Sequence, residues 1–110
     1  MKTVTVTLPN DTQIVVEFES PVLTGTDGQI SYASYVLNGF KTIEKIIKMR
    51  ERAKYLLSLT GTEREKWATR GWDPTTCQIE IDGANAALSK NSAKFWIENP
   101  DTINAVRNPK

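Results

Sequence analysis

The chain has 110 residues, 39% hydrophobic and 25% charged, with a net charge of +1. That is one domain with an ordinary globular composition, and no global charge that would argue for nucleic acid or a membrane surface. The single Cys77 excludes an internal disulfide framework. No apolar leader opens the chain, and no run approaches the roughly 18 apolar residues of a membrane-crossing helix. An intracellular, cytoplasmic protein is expected.

Charge is distributed less evenly than the total suggests. Residues 1–30 carry −3, residues 41–54 carry +4, and the remainder balances. The acidic end and the basic segment could neutralise each other within one chain, or between chains in a head-to-tail contact.

The chain opens with KTVTVTL and QIVVEFE, two alternating β-branched runs separated by Pro9-Asn10-Asp11-Thr12. They read as an antiparallel hairpin. Val4 and Val6 share one face with Ile14, Val16 and Phe18, and that face needs a cover because a lone hairpin is marginal in water. Residues 20–29, SPVLTGTDGQ, read as a connecting loop. They lack the lysine and following hydroxyl of a phosphate-binding loop.

Residues 32–59 form the one long stretch with unbroken helical periodicity, and predict a single central helix with a kink at Asn38-Gly39. A third strand over residues 30–37 is the competing reading, from the alternation of Ile30, Tyr32, Ser34 and Val36, and in that case the helix would begin near Lys41. Ile43, Ile46, Ile47, Met49, Ala53, Leu56 and Leu57 form the apolar face. Lys41, Lys45, Lys48 and Arg52 align on the opposite side, with Glu44 and Glu51 in reach of Lys48. This row reads either as a solvated face or as a stripe for phosphate or an acidic partner. Arg50 projects into the apolar arc and must pair, snorkel or meet a partner.

Thr60-Gly61 closes the long helix. Thr62-Glu63-Arg64-Glu65 matches a capping box and predicts a short helix over residues 63–70. Asp73-Pro74 starts another helix, whose stripe runs through Cys77, Ile81, Ala84, Leu88 and Phe95, with a break at residues 89–92. A strand over residues 77–82 competes. Continuing that phase places Trp96 off the stripe, as an exposed or intersubunit aromatic. Asn99-Pro100 stops the helix, residues 101–106 form a docking turn, and residues 108–110 a frayed tail. The fold class is α+β: a hairpin on a long helix, followed by shorter helices.

The chain has no histidine. That removes the commonest general base and zinc ligand, and every Ser-His or Cys-His pairing. Cys77 reads as a small buried apolar residue. The carboxylate pairs Glu63/Glu65, Glu80/Asp82 and Asp11/Glu17 read as exposed surface. An enzyme, a cofactor or a metal is therefore not expected. The cluster Arg64, Trp67, Arg70 and Trp72 combines aromatic faces with guanidinium donors, which suits base stacking, protein hot spots or a structural corner. The leading expectation is a non-enzymatic adaptor or inhibitor that binds a protein partner and self-associates as a homo-oligomer through Arg50 or Trp96. The alternative is a nucleotide or nucleic-acid binder using Lys41, Lys45, Lys48 and Arg52, with Arg64, Trp67 and Arg70.

Overall fold

In the computed structural model, residues 2–107 are described; the expected tail at residues 108–110 lies outside them. The order of elements is β1 (Lys2–Thr7), β2 (Gln13–Phe18), α1 (Asp27–Phe40), α2 (Thr42–Leu57), α3 (Gly61–Ala68), α4 (Pro74–Leu88), α5 (Ala93–Glu98) and α6 (Thr102–Val106). The α+β class stands, with the hairpin packed on helices.

β1 and β2 pair antiparallel, with Val4 opposite Val16 and Val6 opposite Ile14. The turn closes through the Leu8 and Thr12 backbones, and Asp11 takes φ 68°, a conformation that Asn and Asp tolerate best among side-chain-bearing residues. Val4 and Val6 are buried on α2, while Ile14, Val16 and Phe18 are half-buried against the same core. The cover that the hairpin needs is α2.

The predicted single helix over residues 32–59 is two helices. Lys41 sits between them in the left-handed region (φ 51°, ψ 43°), and its N–H returns to the Leu37 carbonyl as the cap of α1. The break falls two residues past Gly39, which stays helical. Its cause is a change of partner: α1 packs mainly on α5, whereas α2 packs on β1 and α4. Thr42, fully buried, holds the start of α2 by donating to the Pro100 carbonyl at 2.9 Å.

Two neighbouring expectations are corrected. Residues 30–37 are helix, not a third strand, and the connecting loop ends at Thr26 rather than Gln29. Thr26 and Gln29 form a reciprocal capping box: Thr26 Oγ1 accepts from the Gln29 N–H at 3.2 Å, and Gln29 Oε1 accepts from the Thr26 N–H at 3.0 Å. The capping box expected at Thr62 is absent. The helix starts at Gly61 instead, and its cap Thr60 makes no side-chain bond.

α4 starts where Asp73-Pro74 announces it, which excludes the competing strand over residues 77–82. The Thr76 N–H bonded to Asp73 holds this carboxyl below the usual carboxylate range. Cys77 is buried, as expected, and that burial pushes its thiol up, away from the reactive thiolate. One expected surface residue is not at the surface: Glu80, 1% exposed, is ion-paired through Oε1 with Arg107. Glu80 and Gly83 both turn toward α6, which explains why an acidic residue on α4 is inside.

Gly83 is where α4 and α6 cross. A Cβ there would meet the Val106 carbonyl oxygen at 2.5 Å and Val106 Cγ1 at 2.9 Å. Gly83→Ala is expected to destabilise by about 1–2 kcal/mol through overpacking, although Gly→Ala in an open helix stabilises by up to about 1 kcal/mol. Urea unfolding measures the sign, and a gain in stability would mean that α6 does not hold this position.

Candidate binding groove

α2 spans about 24 Å at 1.5 Å per residue. Its apolar face covers β1 and α4, so its cations project away from the core. Lys45, Lys48 and Arg52 are exposed, and together with Met49 they form one wall of a groove of about 430 Å3. Thr5, Val6 and Thr7 of β1 form the other wall, with Thr102 beside them. Successive residues of a strand point to opposite faces. A groove touching three in a row therefore runs along the strand's edge. β1 is bonded to β2 on one side only, and the groove follows its other side.

The groove continues into a recess of about 230 Å3 lined by Thr7, Pro9, Arg52, Leu56, Trp67 and Trp72. Thr7 and Arg52 belong to both. The Arg52 guanidinium lies 5.7 Å from the Trp72 ring centroid, and that of Arg70 lies 5.1 Å from Trp67. The floor is apolar where Leu56 comes through and the rim is cationic.

Among the described residues, Lys45, Lys48 and Arg52 make no ion pair. The pairing expected between Lys48 and Glu44 or Glu51 does not form. Glu51 instead turns to Arg50 at 3.6 Å and Lys54 at 3.5 Å, away from the groove. Nor do the acidic residues of the hairpin end reach this row. Three cations thus face one open channel without compensation.

The other candidate residues separate from these. Lys41 is the joint between α1 and α2 and does not line the groove. Arg50 lies on the α4 side, where Nη1 donates to Asn85 Oδ1 at 3.2 Å. Its Nε is buried without a hydrogen-bond partner among the described residues. Arg64 closes the end of α2, donating from Nε to the Leu59 carbonyl at 2.8 Å and from Nη2 to the Leu57 carbonyl. Two of its five N–H donors are thus taken by backbone carbonyls.

Trp96 is fully buried, which overturns the expectation of an exposed aromatic. α5 begins afresh from its own cap, Ser92, so the angular phase of α4 does not carry across residues 89–92. Sequence reasoning also missed Thr5, Thr7, Met49 and Thr102 as groove residues. The threonines of KTVTVTL are visible as a polar face, but only the sheet order reveals which edge is open.

Among the described residues, no group of three or more His, Cys, Asp or Glu is placed to hold a metal ion. No helix among them is long and apolar enough to cross a membrane. No family model matches the chain, and no curated protein or solved structure matches it either.

Proposed function

We propose that this chain is a non-enzymatic binding protein whose groove takes an extended acidic segment of a partner protein. One observation carries the reading: an open strand edge runs directly beside three uncompensated cations. An extended segment laid along β1 satisfies its main chain by adding a strand, and presents alternate side chains to the α2 wall. Carboxylates at those positions meet Lys45, Lys48 and Arg52, while apolar side chains settle on Leu56, Trp67 and Trp72. An adaptor or inhibitor works in this way, by occupying a segment of its partner.

The test is titration with a peptide alternating valine and glutamate, followed by the fluorescence of Trp67 and Trp72. Binding is expected, with Lys48→Glu weakening it at least tenfold, about 1.4 kcal/mol. Affinity for the acidic peptide unchanged by Lys48→Glu and Arg52→Glu would overturn the assignment.

A second reading, single-stranded nucleic acid, draws on the two Trp–Arg pairs, since rings and guanidinium planes are what unpaired bases stack on. Three phosphate contacts would give log K a slope of about −2 against log salt for a single strand. Oligothymidylate binding with that slope, and indifference to the acidic peptide, would select this reading. The near-neutral chain favours the first.

A further inference from the structure

The joint at Lys41 leaves a hollow in its crook, which shares no residue with the groove. Leu37 and Asn38 line it from α1, Ile43 and Glu44 from α2, and Lys2 from the start of β1. Its volume is about 150 Å3, below the roughly 300–1,000 Å3 of pockets for drug-sized molecules. Only a small guest fits.

The polar groups around this hollow are uncommitted. Lys2 and Glu44 carry opposite charges, yet neither makes an ion pair among the described residues, with each other or with any third group. Ser20, Ser34 and Asn38 also line the hollow, and their side chains make no hydrogen bond among the described residues. Elsewhere such side chains serve the fold: Ser58 and Ser89 each donate to a backbone carbonyl at 2.6 Å. The apolar part of the wall is the opposite case, since Leu37 and Ile43 are both buried and fixed by the core.

We propose that this hollow binds a free α-amino acid with an aliphatic side chain. The ammonium of the guest meets Glu44 and its carboxylate meets Lys2, so one zwitterion satisfies two charges that the fold leaves unpaired. The hydroxyls of Ser20 and Ser34 and the amide of Asn38 serve the remaining donors and acceptors. The aliphatic side chain lies on Leu37 and Ile43. A simple anion or cation would satisfy one charge and desert the other, and an uncharged apolar molecule would desert both. Each ion pair of this exposed kind strengthens binding by no more than about fivefold, so the affinity is weak, near millimolar. The inference does not depend on what fills the groove.

Amide NMR titration with L-leucine at low salt, where ion pairs are least screened, tests the proposal. Saturable shifts at Leu37, Asn38 and Ile43 are expected, with a Kd of about 1 mM. Isopentylamine and isocaproate keep the side chain and lose one charge each, and are expected to bind about fivefold more weakly. Glycine keeps both charges and loses the side chain, and is expected to bind about tenfold more weakly. Glu44→Gln and Lys2→Met each weaken leucine binding about fivefold with an unchanged circular dichroism spectrum. Lys2→Met carries the test alone if Glu44→Gln disturbs α2. The absence of saturable shifts up to the solubility limit of leucine overturns the proposal. So does binding of the amine or the acid as tight as that of leucine, or leucine binding indifferent to Lys2→Met.

Discussion

Trp96→Ala is expected to cost about 3–5 kcal/mol, the range for deleting a fully buried tryptophan. Its indole is wholly out of solvent and meets Phe95 edge-on, with centroids 4.9 Å apart and planes at 83°. Nε1–H donates to the Lys90 carbonyl at 3.0 Å, so the ring ties α5 to the end of α4 as well as filling space. α1 rests on α5, and the vacated volume leaves α1 without its main support. In a domain of this size each 1 kcal/mol moves Tm by about 4–8 °C, so the expected fall is at least ~12 °C. Trp96→Phe keeps most of the volume and loses the hydrogen bond, and is expected to cost less than half as much. Thermal unfolding of the two variants decides it: a fall of less than ~1 kcal/mol for Trp96→Ala would contradict the burial.

Arg107→Ala is the second large effect, at about 2–3 kcal/mol. Removing one partner of a buried ion pair leaves the other charged and unsolvated, a loss of about 3–5 kcal/mol when both are inside. Here the Arg107 side chain is 44% exposed, and water entering its place relieves part of the cost. The rest of the cost stays, because Glu80 itself is 1% exposed and its Oε2 has no hydrogen-bond partner among the described residues. The prediction is sharpest as a double-mutant cycle. Glu80→Met is expected to be near neutral, because a well-packed apolar side chain avoids the desolvation of the carboxylate. In the Glu80→Met background, Arg107→Ala is expected to cost less than ~1 kcal/mol. Equal costs in both backgrounds would mean that Arg107 acts through packing of α6, not through charge.

How much of this was legible in the sequence depends on the range of the interaction. The hairpin, its inward face and the Asp73-Pro74 start of α4 were readable, because alternation and caps act over a few residues. The joint at Lys41 was readable only in part: a helix beginning near Lys41 was expected if a strand preceded it, but not a break between two helices. It exists because α1 and α2 answer to different partners far along the chain. Trp96 was misplaced for a related reason, an angle carried through a break where the helix restarts. Glu80 looked like surface because its counter-ion, Arg107, lies just past α6, far along the chain.

The candidate site divides along the same line. The row of Lys45, Lys48 and Arg52 was visible as a period on one helix. Its meeting with Trp67 and Trp72 was not, since α3 and the start of α4 had to fold back to the end of α2 first. Arg64, three residues before Trp67, looks like part of the same recognition cluster on spacing alone. Geometry commits it to the carbonyls of Leu57 and Leu59.

The contact between α1 and α5 also sets an order of events during synthesis. The apolar face of α1 (Ala33, Val36 and Leu37) is translated well before α5, and the Thr24 backbone bonds to Asn91 and Ala93. At about 5–20 residues per second, a ribosome needs roughly 3–12 s to pass from the end of α1 to the end of α5. For most of that interval the nascent chain holds a helix without its main cover, while the hairpin already has α2 to pack on. α1 is secured only once α5 has been made, so its docking waits on the codons that specify Trp96.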